Sequence, residues 1–426
     1  MTPDQQTRAR RRGRRRRGRG RKNNPQQQHQ KQNQQQQSWS NKAEDVPFGP
    51  QPRLQVTGIL ELMPDGQGWI RDLERSFVPE DTDAFVPANL ARADNLRPGI
   101  QIVAWAERVK GRLAVVEIET VDGLPPAEAA ALPLFKQLTS IDPTEQFQLE
   151  GGTPVAGDNG ICANTRIIDL ITPIGRGQRG LITAPPRSGK TILLQHIANR
   201  ISQFYEDVHL MVLLVDERPE EATHFRRNVD GEVIASTNDE PSDRHTRVTE
   251  LTIERAKRLV EKGKDVVIVM DSLTRLGRAY NVTTKNSGRT LSGGVDSRTL
   301  EKPKAFFGAA RNVEDGGSLT ILATALIETG SRMDEVIFEE FKGTGNMELV
   351  LARDLAERRI WPAIDINKSG TRKEELLLHP EVYRKVVMLR RVMSQMHPVE
   401  AMQSLIAKLQ ETTTNADFLA SFDTRR

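Results

Sequence analysis

The segment Ala184–Thr191, with the sequence Ala-Pro-Pro-Arg-Ser-Gly-Lys-Thr, constrains the fold of this chain more than any other. It follows the apolar run Gly180–Ala184 and precedes apolar residues at Leu193, Ile197 and Ile201, the spacing of one helix face. A lysine loop between a buried strand and a helix offers backbone N–H groups and a helix N-terminus to phosphate. The segment therefore predicts a phosphate-binding loop within an α/β fold.

Two side chains of this loop have distinct expected roles. Lys190 is expected to reach the β- and γ-phosphates of ATP, and the hydroxyl of Thr191 to hold Mg²⁺. The first glycine of the usual pattern is replaced by Ala184. A strand, loop and helix arranged by chance is the alternative, which Gly-Lys-Thr in this setting disfavours. The nucleotide-binding candidates in this region are Ala184, Pro185, Pro186, Arg187, Ser188, Gly189, Lys190, Thr191 and Ile192.

Acidic residues end two further apolar runs. Val266–Met270 leads to Asp271, which is expected to orient hydrated Mg²⁺, and Leu210–Val215 leads to Glu217, expected to polarise an attacking water. Arg218 joins the nucleotide-binding candidates. Each acid alone is equally consistent with a strand-end or capping role. Together with the lysine loop, and in this order, they favour an ATPase core.

The alternation of strand, loop and helix from about residue 150 to 370 predicts a mostly parallel sheet. Leu319–Ala323 is another expected buried strand, and helices are expected after Pro380, after Pro398 and at Asn415. Gly175–Gly180 matches a dinucleotide-binding fingerprint but precedes a strand instead of following one, so NAD binding is rejected.

Residues 53–121 are predicted to form a small five-stranded β-barrel of the OB or cold-shock type. Short apolar runs at even spacing are separated by turns: Val56–Leu62, Trp69–Arg71, Ala84–Val86, Ile100–Trp105 and Leu113–Ile118. Residues 122–150, including the proline-rich Gly123–Pro133, are predicted to be a linker, and residues 151–426 to form the ATPase domain with its C-terminal helices.

Three aromatic residues and one cation in the barrel are candidates for RNA binding. Trp69 and Arg71 follow a Gly-x-Gly turn, and Phe77 and Phe85 come shortly after. Bases stack on aromatic faces while arginine holds phosphate. The alternative is that Trp69 and Phe85 belong to the barrel core, and one of them is expected to.

The first 45 residues are predicted to be a disordered tail, with an Arg/Gly block followed by a Gln/Asn block. Residues 1–42 carry thirteen cationic side chains and one Asp, so the rest of the chain is net negative although the formal total is +4. Such a tail is either a solubilising segment or a non-specific attractor of nucleic acid, and the density of arginine favours the second.

Several other classes are disfavoured by composition. No apolar run approaches the roughly 20 residues of a membrane span, and the arginine-rich start lacks the apolar stretch of a secretory signal. One cysteine, Cys162, disfavours a disulfide framework or a multi-cysteine metal site. We therefore expect a cytoplasmic protein without a membrane partner.

Beyond these separate patterns, the chain from about residue 53 onward resembles the bacterial transcription termination factor Rho family. The resemblance rests on the lysine loop and on further motifs: Val215–Glu221, Asp271–Leu276, Leu291–Asp296, Phe306–Asn312, Phe341–Glu348 and Ser369–Leu376. It implies a homohexameric ring with RecA-like domains and RNA-binding barrels, which threads nascent single-stranded RNA and uses ATP with Mg²⁺ to release RNA polymerase.

The resemblance also assigns roles to individual residues. Arg372 is implied as an arginine finger that enters the neighbouring subunit's site, where spacing alone left both Arg359 and Arg372 as candidates or as surface ion pairs. Trp361 is implied to stack on adenine. The implied RNA-binding residues of the barrel and of two channel loops are Trp69, Arg71, Phe77, Arg289, Gly293, Gly294 and Arg332.

Some features depart from the family pattern, and other functions stay open. The tail stands where a small helical segment is usual, Gln67 replaces an aromatic residue, and Arg289 and Arg332 stand where lysine is common. A rotary- or export-type ATPase subunit would share the core without RNA stimulation, and Trp69 and Phe77 argue against it. A non-motor RNA-binding protein with a vestigial site is opposed by the intact set of catalytic residues.

Overall fold

A computed structural model describes residues 52–151, 163–284, 292–296 and 298–422 of the chain. The predicted tail, Cys162 and Arg289 lie outside these residues. The described part from Pro52 onward forms one compact unit.

The chain first forms a closed barrel of five strands in the order β1-β2-β3-β5-β4. All neighbours are antiparallel except β3 and β5. Side chains that alternate inward form the barrel core, among them Leu60, Ile70, Val86, Ile102 and Val115. The strands are β1 (Leu54–Leu62), β2 (Gly68–Arg71), β3 (Ala84–Val86), β4 (Gln101–Val109) and β5 (Arg112–Val121), with helix α1 (Ala88–Ala93) between β3 and β4.

The five predicted barrel strands all form, and the segment predicted to be a linker includes a short helix. Helix α2 (Pro126–Ala130) begins with a proline at its first position, a residue whose fixed φ suits that position. Ala129 packs into the barrel core and Phe135 into the core of the following domain. The segment thus joins the two domains through buried contacts. One of its prolines, Pro126, begins the helix.

The rest of the chain is an α/β domain built on a nine-stranded sheet. The strands of the main path run in the order β11-β10-β12-β14-β9-β15-β16, parallel from β11 to β15. They are β9 (Arg179–Ala184), β10 (His209–Glu217), β11 (Glu232–Thr237), β12 (Val266–Asp271), β14 (Ser318–Leu326), β15 (Met347–Val350) and β16 (Gly370–Thr371). The strands β6 (Ser140–Ile141) and β13 (Arg311–Val313) complete the nine, and β7 (Gln146–Phe147) and β8 (Ile174–Gly175) form a separate two-stranded sheet.

Helices cover both faces of this sheet, which explains why its strands are uniformly apolar. Along β10, Val212 and Leu214 face one core, whereas Leu213 and Val215 face the other. The described helices of this domain are α3 (Ala163–Ile171), α4 (Lys190–Phe204), α5 (Pro219–Asn228), α6 (Ser242–Glu261), α7 (Leu273–Thr283), α8 (Glu301–Phe307), α9 (Arg332–Lys342), α10 (Arg353–Glu357), α11 (Pro380–Met393), α12 (Pro398–Gln410) and α13 (Asn415–Ala420).

The last three helices start where the sequence predicted, at Pro380, Pro398 and Asn415. Residues before each start cap it: the side chains of His379, His397 and Thr414 accept hydrogen bonds from backbone N–H groups of the first turn. Among the helices described here, none is both long and apolar enough to cross a membrane.

The parallel strands bring the loops of interest to one edge of the sheet. The loop between β9 and α4 follows the carboxyl end of β9, and the carboxyl ends of β10 and β12 carry Glu217 and Asp271. Ligands of open α/β sheets bind at this edge. The fold therefore places the predicted phosphate loop and both predicted acids together.

Candidate nucleotide site and nucleic-acid interface

The phosphate loop has the geometry that its sequence predicted. Gly189 precedes helix α4 with a positive φ of 80°, and the Ser188 hydroxyl donates a 2.7 Å hydrogen bond to the carbonyl of Pro185. Ala184 still belongs to β9, where its carbonyl accepts a hydrogen bond from Ile327 N at 3.1 Å. This position therefore needs strand geometry and a small side chain, and alanine satisfies both.

Buried charges meet beside the loop. Lys190 Nζ donates to Asp271 Oδ1 at 2.6 Å, and the Thr324 hydroxyl donates to the same oxygen at 2.9 Å. Asp271 is fully buried, and no described residue donates a hydrogen bond to its second oxygen, Oδ2. The Thr191 hydroxyl contacts Glu221 Oε2 at 3.1 Å. Lys190, Thr191 and Asp271 thus lie close together beside the phosphate loop.

The Asp271 carboxylate and the Thr191 hydroxyl are suited to bind a hydrated Mg²⁺ ion. A buried carboxylate oxygen without a protein donor is costly unless a cation or water satisfies it. Mg²⁺ is commonly held by one or two side chains, substrate phosphates and water, without a cage of protein ligands. Asp271 and Thr191 are the two side chains suited to that role.

Glu217 is the most perturbed carboxylate of this edge. It is almost fully buried at the end of β10, and burial, with the nearby Asp271 carboxylate, raises its pKa to about 7. Lys190 and Arg275 act in the opposite direction, and Arg275 Nη2 lies 2.8 Å from Glu217 Oε2. A carboxylate with a pKa near neutrality is suited to accept a proton. Arg275 was missed at the sequence level because nothing in its helical context distinguishes it from a surface cation.

An apolar cavity of about 240 Å³ lies next to the loop, between α4 and the segment that contains Trp361. The Trp361 ring is 37% exposed and packs against Gly189, where an added Cβ would come within 2.7 Å of ring atom Cζ3. Ile192, Leu193 and Leu351 complete the lining. A flat, apolar slot beside a phosphate loop suits a nucleotide base.

Arg372 lies at the opposite edge of the sheet. It follows β16, where Thr371 pairs with Met347, and Met347 pairs in turn with Gly180 at the amino end of β9. The phosphate loop begins at the carboxyl end of β9. Arg372 therefore lies at the end of the sheet away from the loop of its own chain, and it is exposed. Arg218, by contrast, directly follows Glu217 and is exposed at the first turn of α5.

In the barrel, Trp69 and Phe85 form an aromatic pair on the outer surface, which we call the aromatic platform. Their ring centroids are 5.3 Å apart in an edge-to-face arrangement. Both rings are half-buried, so the expectation that one of them lies in the barrel core is wrong. Cross-strand pairing of Trp69 with Phe85 brings them together. Phe85 therefore accompanies Trp69 in the candidate RNA site.

Arg71 and Phe77 do not present the surfaces predicted for them. Only 5% of Arg71 is exposed, and its guanidinium pairs with Glu61 at 2.7 Å and with Asp83, so it is not free to hold a phosphate. Phe77 is 1% exposed and packs into the core of the α/β domain. Phe77 is buried because the barrel rests on the α/β domain there, a contact that the barrel sequence alone does not reveal, whereas Arg71 is held by two carboxylates of the barrel itself.

The two predicted channel loops approach each other. A Cβ on Gly293 would lie 2.7 Å from the carbonyl oxygen of Arg332, and Gly293 has a φ of 81°, so glycine is required on both counts. Arg332 is exposed at the first turn of α9. Gly294 is exposed, and its carbonyl accepts a hydrogen bond from Asn281 at 3.2 Å. Arg289 lies outside the described residues.

Two known domain families match different parts of the chain. Residues 56–127 match the Rho termination factor RNA-binding domain, and residues 164–371 match the nucleotide-binding domain of the ATP synthase alpha/beta family. The barrel is thus an RNA-binding domain of this type, and the sheet belongs to a P-loop ATPase domain. ATP synthase subunit NeqB from Nanoarcheaum equitans is 16% identical, with a TM-score of 0.50 over 60% of this chain and 71% of that chain, a likeness of fold alone.

Two curated relatives match over most of the sequence. Transcription termination factor Rho of Pseudomonas aeruginosa is 50% identical over 85% of this chain and 87% of its own length. Rho of Aquifex aeolicus is 50% identical over 86% of this chain and 84% of its own length. With the barrel, the phosphate loop and the buried acids in place, these matches show that the chain belongs to the transcription termination factor Rho family.

Proposed function

We propose that this protein is an RNA-dependent ATPase that translocates along nascent single-stranded RNA and terminates transcription by releasing RNA polymerase. The observation that carries the proposal is the presence, in one chain, of a Rho-type RNA-binding barrel and of Lys190, Asp271 and Glu217 together beside the phosphate loop. A rotary- or export-type ATPase shares the α/β domain but has no need of an RNA-binding barrel.

The carboxyl edge of the sheet would bind ATP. The backbone N–H groups at the start of α4 and the Lys190 ammonium would hold the phosphates, and the base would enter the slot beside Trp361. Thr191 and Asp271 would hold Mg²⁺, which neutralises phosphate charge when bound. Lys190 would then exchange its contact with Asp271 for one with phosphate.

Glu217 would act as the general base of hydrolysis. Its raised pKa gives it enough basicity near neutral pH to accept a proton from the attacking water. Arg275, which pairs with Glu217, would keep the carboxylate oriented and limit the rise of its pKa. Arg218, at the start of α5, would lie close to the phosphates.

Arg372 would complete the site of a neighbouring subunit. Its place at the amino-terminal edge of the sheet, away from its own phosphate loop, is what an arginine acting in trans requires. This role presupposes a ring in which the amino-terminal edge of one sheet faces the carboxyl edge of the next. We therefore propose a homohexamer.

The barrel and the loops of the α/β domain would bind RNA in succession. Trp69 and Phe85 offer exposed aromatic edges and faces for the initial capture of bases. Arg332 and the glycines at 293 and 294 would line the ring's central channel, with Arg289 in the neighbouring loop. Hydrolysis would move these loops along the captured strand.

The proposal is tested by steady-state ATP hydrolysis with and without pyrimidine-rich single-stranded RNA, with Lys190→Ala as the control. Strong stimulation that disappears in the variant is expected. Equal rates of hydrolysis with and without RNA would instead favour the rotary- or export-type ATPase. No hydrolysis at all in a verified hexamer would favour an RNA-binding protein with a vestigial site.

Termination itself requires a transcription assay. Stalled or elongating bacterial RNA polymerase is incubated with the protein and ATP, and released transcripts are separated from those retained in the complex. Release that depends on ATP and on Lys190 is expected. RNA-stimulated hydrolysis without release would restrict the protein to an RNA translocase.

A further inference from the structure

Helix α6 connects the aromatic platform of the barrel to the edge of the sheet where ATP would bind. Near its N-terminus it carries Arg247, whose guanidinium pairs with both carboxylate oxygens of Glu61 in the barrel. Glu61 also accepts a 2.7 Å hydrogen bond from Arg71 Nε. Glu61 is buried and its pKa is lowered by Arg247 and Arg71 against the opposing effect of burial, so the group stays ionised.

Glu61 is directly linked to the aromatic platform by strand register. It pairs with Trp69 across β1 and β2, and Trp69 pairs with Phe85 across β2 and β3. Directly opposed residues share one face of a sheet, so all three side chains lie side by side. The guanidinium carbon of Arg71 is 5.5 Å from the centre of the Trp69 ring. Arg247 therefore holds the charged residues that flank the platform.

Two residues before Arg247, His245 faces the catalytic edge. Its Nδ1 lies 2.6 Å from the Ser236 hydroxyl, and its Nε2 lies 3.9 Å from Asp216 Oδ1. Asp216 has a positive φ of 56° and immediately precedes Glu217. Residues two apart on a helix differ in direction by about 200°, so one turn of α6 contacts both the catalytic strand and the barrel.

We propose that Arg247 is a positioning residue that couples RNA binding at the aromatic platform to ATP hydrolysis at Glu217. Bases that stack on Trp69 change the position or the mobility of the Glu61–Arg71 ion pair next to the ring. Through Arg247 this change reaches the first turns of α6 and the Asp216–Glu217 segment. The inference rests on the proposed RNA-dependent hydrolysis and names the residue that would transmit it.

The chain contains a matched control on the same helix. Arg255 Nη1 pairs with Asp122 Oδ1 at 2.5 Å, and both side chains are buried. This pair also joins α6 to the barrel. It lies eight residues farther along α6, about 12 Å away, and Asp122 follows β5 instead of flanking the platform. Arg255→Gln removes an interdomain ion pair that is more deeply buried than the Arg247–Glu61 pair, and it does so without touching Trp69, Arg71 or Glu61.

The test compares Arg247→Gln with Arg255→Gln in the full-length hexamer. One measurement is the affinity, without nucleotide, for a labelled pyrimidine RNA of about four nucleotides, the short end of what one OB fold covers. The other is hydrolysis without RNA and at saturating long RNA. We expect Arg247→Gln to lower RNA stimulation about 5- to 10-fold, while short-RNA affinity and RNA-free hydrolysis change less than about twofold.

Two results would overturn the inference. In the first, stimulation in Arg247→Gln equals that in Arg255→Gln. In the second, the loss of stimulation is matched by an equal loss of short-RNA affinity, which would make Arg247 part of the RNA site. If Arg247→Gln does not assemble, Glu61→Gln breaks the same pair from the barrel side and decides between these outcomes. Absence of RNA stimulation in the unaltered protein would count against the proposed function, whereas stimulation preserved in Arg247→Gln counts against this coupling alone.

Discussion

The nucleotide edge of the α/β domain and the aromatic platform of the barrel use charge in opposite ways. At the nucleotide edge, Lys190, Asp271 and Glu217 are themselves the reactive groups, buried beside one another. In the barrel, the ions Glu61 and Arg71 are buried supports, and the half-exposed rings are the groups available to a ligand. The comparison indicates that the ATP site depends on charge placement, whereas the RNA platform depends on shape. Four experiments test whether the two regions differ in this way.

The largest effect is expected from Lys190→Ala. Removing one preorganised cation from a charge-stabilising site typically lowers the rate by about 10²- to 10³-fold. Because Lys190 is far from the barrel, affinity for short RNA should not change. Hydrolysis rates and short-RNA titrations on the same preparation check both statements. A loss of RNA affinity comparable to the loss of rate would show that the two regions are not separable.

Trp69→Ala should have the converse effect. Loss of one base-stacking ring costs about 1–3 kcal/mol of RNA binding, or roughly 5- to 150-fold in affinity. Hydrolysis without RNA should stay near that of the unaltered protein. Fluorescence titration with short RNA measures the affinity, and Trp69→Phe, which retains a ring, is the matched control. Equal affinities for the alanine and phenylalanine variants would remove Trp69 from the RNA site.

The pH dependence of ATP hydrolysis should differ from the pH dependence of RNA affinity. Glu217 must be ionised to accept a proton, and its pKa is raised to about 7 by burial and by Asp271. Hydrolysis at limiting ATP, where the rate follows the titration of the free protein, should therefore increase by about tenfold from pH 6 to pH 8. Short-RNA affinity should stay flat over this range, because the pKa of Glu61 is lowered and no protonation occurs there. A flat hydrolysis profile would argue against Glu217 as the base.

The smallest effect is expected from Phe77→Leu. The buried ring packs in the core of the α/β domain, so the shorter side chain should lower the free energy of unfolding by about 1 kcal/mol. Short-RNA affinity of the folded protein should be unchanged. Thermal unfolding and the titration used for Trp69 measure the two quantities. A specific loss of RNA affinity with unchanged stability would restore the original prediction for Phe77.

The sequence predicted most of the fold because the necessary information is local. All five barrel strands follow from short apolar runs between turns, and β9, β10, β12 and β14 follow from apolar runs flanked by loops. The phosphate loop and the two acids were placed correctly because a parallel sheet collects the carboxyl ends of its strands at one edge. These features required only pattern and topology.

The errors concern contacts between distant parts of the chain. Arg71 and Phe77 have the residue types of an RNA site, and only their contacts in the folded protein reveal that both are buried. Arg247 and Glu61 are 186 residues apart, so no local pattern connects them. The sequence did not indicate helix α2 within the predicted linker, because proline suits a first helical turn and a loop equally well.

The burial of Ile59 and Phe77 in the core of the α/β domain has a consequence for how this architecture can change in evolution. Recombination exchanges domains most easily when their boundary is solvated, because each part then retains its own core. Here the barrel supplies two side chains to its neighbour's interior, so a replacement barrel lacking them would leave the recipient with a cavity. We therefore expect barrels with new RNA preferences to arise by substitution on the outer face rather than by exchange of the whole domain.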